Sequence, residues 1–312
     1  IIIINNTLNR TIHNNVTETF NMNYNVNISE NLNSIVSGLF NIYVDNHNLN
    51  TYNKNVTNNI TETNTNTYNQ SYKISVYENN LETYTGFNCN IDLNYNKNIT
   101  NSYFYRVHQD SKLTVDEDTT LTNKKYLYTS IKNNSDETYS NTYDKYINGI
   151  ISDNYKNNKT FNILNNYNFN SNHIYSQHTV GISTSTFRTN YNLNLFGHLK
   201  ETYYSDITNY IKEDKYEKTK NNYEHFTKLD KSTTINNNFD STINGYRNMT
   251  IEGTLDKSIK SEHDIYITGN KSYTLNDTLY NFVKLYDHNI YHNSNTIYVM
   301  DNLHETFDKT LT

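Results

Sequence analysis

An apolar residue recurs at every eighth position along almost the whole chain. From Ile235 the track runs forward through Ile243, Ile251, Ile259, Ile267, Leu275, Val283, Tyr291, Val299 and Phe307. Backward it passes Ile211, Tyr203, Leu195, Phe187 and Ile163 and reaches Ile99 and Ile91. One seven-residue step, in the stretch 85–91, carries it to Tyr84, and it continues through Val76, Tyr68 and Ile60 to Ile4. Of its 39 positions, 34 are apolar or Tyr, which excludes a disordered chain. A period of eight drifts against 3.6 residues per turn, so it does not describe a helix face. A unit this short has room for one strand and one bend, and it buries its apolar side only by stacking on its neighbours.

The glycines keep the same beat. All eight (Gly38, Gly86, Gly149, Gly181, Gly197, Gly245, Gly253 and Gly269) stand two residues after a track position. Asn occupies that phase in eleven further octads, Asn237 among them, and Asp in two. These residue types tolerate positive φ, so a structural bend with special backbone angles is expected there. Composition agrees with strands and turns. The chain has no Ala, Pro or Trp, and about a fifth of it is Asn. It lacks the best helix former, and nothing interrupts ladder hydrogen bonding. The 31 Tyr, with Ile and Thr, suit strands.

The reading is therefore all-β: a single repeat rod over residues 1–312, about 39 octads, with a one-residue register slip at 85–91 treated as a local bulge or kink. The core track is Ile235, Ile243, Ile251, Ile259, Ile267, Leu275 and Val283. A second, weaker track lies four residues later and carries charges at Lys159, Lys215, Lys231, Arg247, His263, Lys271 and Asp287. These are expected near corners, where long stems reach water. The alternative is a locally wet core that holds anions.

The octad resembles the Val-x-Gly repeat of cell-puncturing needles, the C-terminal β-helix of contractile-phage baseplate hubs and of type VI secretion valine–glycine-repeat spikes. The likeness is clearest in INGYRNMT (243–250), IEGTLDKS (251–258), IKSEHDIY (259–266) and ITGNKSYT (267–274). It implies a fibrous, intertwined, triple-stranded β-helix, a homotrimer. Only eight octads keep the glycine, and Ile, Leu or Tyr replaces most valines. One chain winding alone with three octads per turn is the competing arrangement. At about 4.8 Å per strand, the trimer would be roughly 190 Å long and the lone coil about 60 Å.

Nothing in the sequence singles out catalysis. The net charge of −6 argues against a nucleic-acid partner. Cys89 is the only cysteine and reads as a small buried hydrophobe. The acidic run Asp116–Asp118 and the pair His288 and His292 read as solvated surface, and no phosphate loop or zinc signature occurs. No apolar run is long enough for a membrane span. The chain does not begin with Met, which leaves open that it is a segment of a longer protein.

The expected function is that of a spike, needle or fibre of a virion or contractile injection device in an extracellular assembly, without enzymatic activity, cofactor or metal. Its partners would be itself, a hub or tip protein, and a host surface or membrane. The alternative is a receptor-binding, adhesive fibre of a low-GC virus or microbe.

Overall fold

The typical octad forms a five-residue strand followed by a three-residue corner, as in Phe239–Ile243, Arg247–Ile251 and Leu255–Ile259. This is seen in a computed structural model. It describes residues 56–284 without a break and, outside them, all but residues 1, 5–7, 15, 21–23, 30–31, 37–39, 45–47, 53, 55, 285, 292–293, 301, 308–309 and 312. All regular structure among the described residues is β. The chain divides into two compact units, Ile1–Asn157 and Asn158–Thr312.

Within each unit the strands pair in parallel with strands one coil further on, 24 residues apart except at the seven-residue step, where the interval is 23, as in Tyr72 with Tyr95. In the second unit Ile211 lies opposite Ile235, Ile235 opposite Ile259 and Ile259 opposite Val283. The next face sets Thr219 against Ile243 and Ile243 against Ile267. The third sets Thr227 against Ile251 and Ile251 against Leu275. Three octads thus make one coil, and like side chains stack in columns. The first unit repeats the scheme, for example Ile99 against Asn123 and Asn123 against Ile147. Each unit is a parallel β-solenoid whose pairing lies within one chain.

The seven-residue step is a β-bulge. Val56–Tyr68 and Asn80–Ile91 run on as long strands where other octads turn a corner. Tyr84 faces Ile60 and Gly86 faces Thr63, so Thr85 alone opposes residues 61 and 62.

Strand residues one, three and five point inward, as in Ile151–Tyr155, Tyr167–Ser171 and Phe239–Ile243. Ile235, Ile243, Ile251, Ile259, Ile267, Leu275 and Val283 are completely enclosed. Their neighbours Asn244, Glu252 and Lys260 are exposed. Enclosing each such side chain contributes about 1.5–3 kcal/mol.

Two sequence expectations need correction. Gly149, Gly181, Gly197, Gly245, Gly253 and Gly269 do stand at bends, but no described residue has positive φ. Gly86 lies inside a strand, and Gly38 lies outside the described residues. The physical reason for glycine is space, not torsion. A Cβ on Gly269 would sit 2.6 Å from the carbonyl oxygen of Gly245, one coil below. On Gly149 it would meet the Lys125 carbonyl. Corners stacked this closely favour a residue without a side chain.

The second correction concerns the charged track. Lys231, Arg247, His263, Lys271 and Asp287 do not reach water at corners but are buried, while Lys159 and Lys215 are partly buried. All but Asp287 occupy the first strand position, and Asp287 lies opposite one of them, His263; side chains at this place point inward like the third and fifth.

The corners have their own ladder. Three residues after the track, an Asn or Asp Oδ1 accepts the backbone N–H found one coil further on. Asp206 accepts from Asp230, and Asp230 from Thr254. Asn190 accepts from Asp214, Asp214 from Asn238 and Asn238 from Glu262. These bonds satisfy corner N–H groups that the strands leave unpaired.

Candidate functional site

The second unit encloses two chains of carboxylate, imidazole and ammonium. In the first, Glu201 and His225 sit mid-strand on one face, one coil apart, and Lys231 opens a strand on the next face. His225 Nδ1 is 3.0 Å from Glu201 Oε2, and its Nε2 is 2.8 Å from Thr227 Oγ1 and 3.2 Å from Lys231 Nζ. In the second, His263 Nδ1 is 2.7 Å from Asp287 Oδ1, and Lys257 Nζ is 2.8 Å from His263 Nε2. Both patterns fit a neutral imidazole that donates from Nδ1 to the carboxylate and accepts at Nε2. In each chain the lysine and histidine are six residues apart, which spans one corner.

Burial sets the protonation. It drives His225 down to about 4, helped by the charge of Lys231, and the Glu201 hydrogen bond resists this. Burial likewise brings Lys231 down to about 7, with Glu201 opposing. Burial acts to raise Glu201, but the His225 bond and the nearby lysines win and hold it at about 2. His263 is pushed to about 3 by burial and Lys257, and Lys257 itself well below its usual value by burial.

Other inward cations rest on aromatic faces. Arg247 stands between the rings of Tyr223 and Tyr273, 5.1 and 5.6 Å from their centres. Lys215 Nζ is 4.7 Å from the centre of Phe239 and 3.7 Å from Glu217 Oε2. Such contacts offset part of the desolvation cost. A cavity of about 100 Å³, bordered by Tyr191, Glu201, Lys215, Glu217, Tyr223 and Lys231, lies among them, with room for water.

Of the residues singled out by sequence, the core track forms one enclosed column per face, and Gly149, Gly181, Gly197, Gly245, Gly253 and Gly269 stand at corners, with Gly269 over Gly245. Among the charged second-track residues, Lys231, His263 and Asp287 enter the chains, while Lys215 and Arg247 make the aromatic contacts. Glu201, Glu217, His225 and Lys257 went unnoticed because they occupy the middle strand position. Two-residue alternation along each strand was the signal that would have placed them inside. Cys89 is buried, and burial pushes its thiol up to about 12. Asp116, Glu117 and Asp118 are exposed, and Asp118 accepts from the Thr142 N–H. His288 is exposed, and His292 lies outside the described residues. No group of three or more His, Cys, Asp or Glu suited to a metal ion occurs among the described residues.

The class the fold defines is the parallel β-solenoid with a partly polar interior. The chain matches no protein-family model, no curated protein and no solved structure.

Proposed function

We propose that the chain serves as a structural shaft, a spike, needle or fibre of a virion or injection device, whose action is mechanical and involves no turnover of substrate. The observation that carries this reading is the coil-on-coil parallel ladder, with a regular 24-residue interval in the second unit, in which columns of enclosed Ile, Leu and Val are flanked by strands bonded on both sides. A hub or tip protein would be its partner in such an assembly.

The octad serves two assemblies. In the three-chain form, track residues of three copies meet on a common axis, and three Lys231 ammonium groups would share one level. In the single-chain form, Lys231 and Lys257 meet imidazole partners of their own chain, an observation that favours this form. Native mass spectrometry separates them, at 36.8 kDa or three times that.

A receptor-binding fibre is the second reading. It is favoured by exposed aromatic side chains, including Phe196, Tyr204, Tyr216 and Tyr280. Electron microscopy of the source particle with an antibody to this chain tests both. Label along an axial tail or spike supports the shaft, whereas label spread over the outer surface supports the fibre and sinks the shaft.

A further inference from the structure

The first unit holds a buried lysine, carboxylate and amide in one contact. Asn80 opens the long strand Asn80–Ile91, Glu82 follows two residues later on the same inner side, and Lys97 is the middle residue of Tyr95–Ile99 on the adjoining face. Lys97 Nζ is 2.9 Å from Glu82 Oε1, and Asn80 Nδ2 is 2.9 Å from the same oxygen. Tyr103 Oη donates to Glu82 Oε2 at 2.9 Å and so fixes the carboxyl plane. Asn80 is fully enclosed, and Lys97 and Glu82 are nearly so, at 4% and 7% exposure. The Lys97 ammonium lies 3.9 Å over the Tyr103 ring, and Asn80 Oδ1 has no hydrogen-bond partner.

An ordinary structural ion pair needs no amide on the shared oxygen. An amide and an amine held by one carboxyl group, away from water, are the components of an amide exchange. We propose that Lys97 and Asn80 condense spontaneously into an isopeptide bond, with Glu82 as the proton carrier. The Lys97 ammonium first passes a proton to Glu82, which leaves a neutral amine. Its Nζ lone pair attacks Asn80 Cγ, and the protonated Glu82, whose Oε1 already touches Nδ2, donates to that departing nitrogen. Glu82 then takes up the second Nζ proton as the Cγ=Oδ1 carbonyl re-forms. The Cγ–Nδ2 bond breaks, the Cγ–Nζ bond remains, and one ammonia is released. No oxidant, metal or cofactor enters the balance.

Burial favours the reactive state, because it lowers the Lys97 pKa against the opposing pull of Glu82. Holding amine and amide on one carboxylate oxygen brings the reactants close and supplies part of the remaining barrier reduction. A cavity of about 140 Å³ borders Glu82 and gives the ammonia room to leave. The bond would join two faces of one coil beside the bulge, where the regular corner is missing. Elsewhere the buried amines are committed differently: Lys231 and Lys257 meet imidazole nitrogens. The inference is independent of the mechanical role.

The test is the intact mass of the folded full chain, followed by protease mapping. The wild type is expected to be lighter than its sequence by one ammonia and to yield a branched peptide joining Lys97 to Asn80. Glu82→Gln and Lys97→Arg are expected to keep the full mass. Ammonia is also lost when Asn148–Gly149 or Asn244–Gly245 cyclises to a succinimide, but hydroxylamine cleaves that product and leaves an isopeptide intact. Full sequence mass with no branched peptide in the folded wild type overturns the proposal. So does an ammonia loss that resists hydroxylamine and is retained in Lys97→Arg. The wild-type peptide map decides even if a variant does not fold.

Discussion

Titrating the interior of the second unit should change its stability in one direction across most of the pH scale. His225 falls from 6.5 to about 4 on folding. Between those values the unfolded chain binds a proton that the folded chain refuses, so stability is full above 6.5 and is lost as pH drops to 4. At about 1.4 kcal/mol per pH unit, the loss is roughly 3 kcal/mol. Lys231, lowered from 10.5 to about 7, acts with the same sign in the range above. Glu201, lowered from 4.5 to about 2, does so in the range below. The enclosed tyrosines set the upper limit. Burial raises Tyr203 and Tyr223 well above their usual value, so the unfolded chain ionises first and stability declines above about pH 10. With 31 Tyr and no Trp, tyrosine fluorescence reports urea unfolding directly. The wild type should lose about 3 kcal/mol more than His225→Gln between pH 6.5 and 4. Equal slopes for the two proteins would refute the assignment of a neutral, buried His225.

Three further changes test the frame. Ile259→Ala, in a fully enclosed column position, should cost about 2–5 kcal/mol in urea unfolding, whereas Lys260→Ala beside it should cost under about 0.5. Gly269→Ala should destabilise by about 1–3 kcal/mol, because the Gly245 carbonyl occupies the space for Cβ; a neutral result would remove the close-approach account of the glycines. Asp230→Ala removes the 2.8 Å acceptor of the Thr254 N–H and should cost about 0.5–1.5 kcal/mol, with hydrogen exchange faster at Thr254 than at Ile259.

The eight-residue track was enough to read the strand content and the inward columns, because Ile243 and Ile267 must face the same way in any stack of octads. It did not say which octad lies on which. Intertwined chains and a lone coil place the same residue types inside, and only the 24-residue pairing of Ile235 with Ile259 distinguishes the coil. The glycine phase located six corners but not Gly86, which lies in a strand, and the torsional explanation failed, since crowding by the coil below is not visible in a linear chain. The polar chains were partly legible. Lys231 and His263 lay on a recognised phase, but charge suggested an outward position, and their carboxylate partners Glu201 and Asp287 become neighbours only after the coil closes.

That closure makes length a quantised property of either unit. Duplicating three octads would add one whole coil and leave every column on its own face. Duplicating one octad would rotate everything after it by a face and part any pair that straddles it: Glu201 from His225 for an insertion between them, or His263 from Asp287 for one further on. Descendants of such a sequence could lengthen or shorten freely in steps of 24 residues, whereas a lone octad gained or lost would have to be offset by new charge pairing inside.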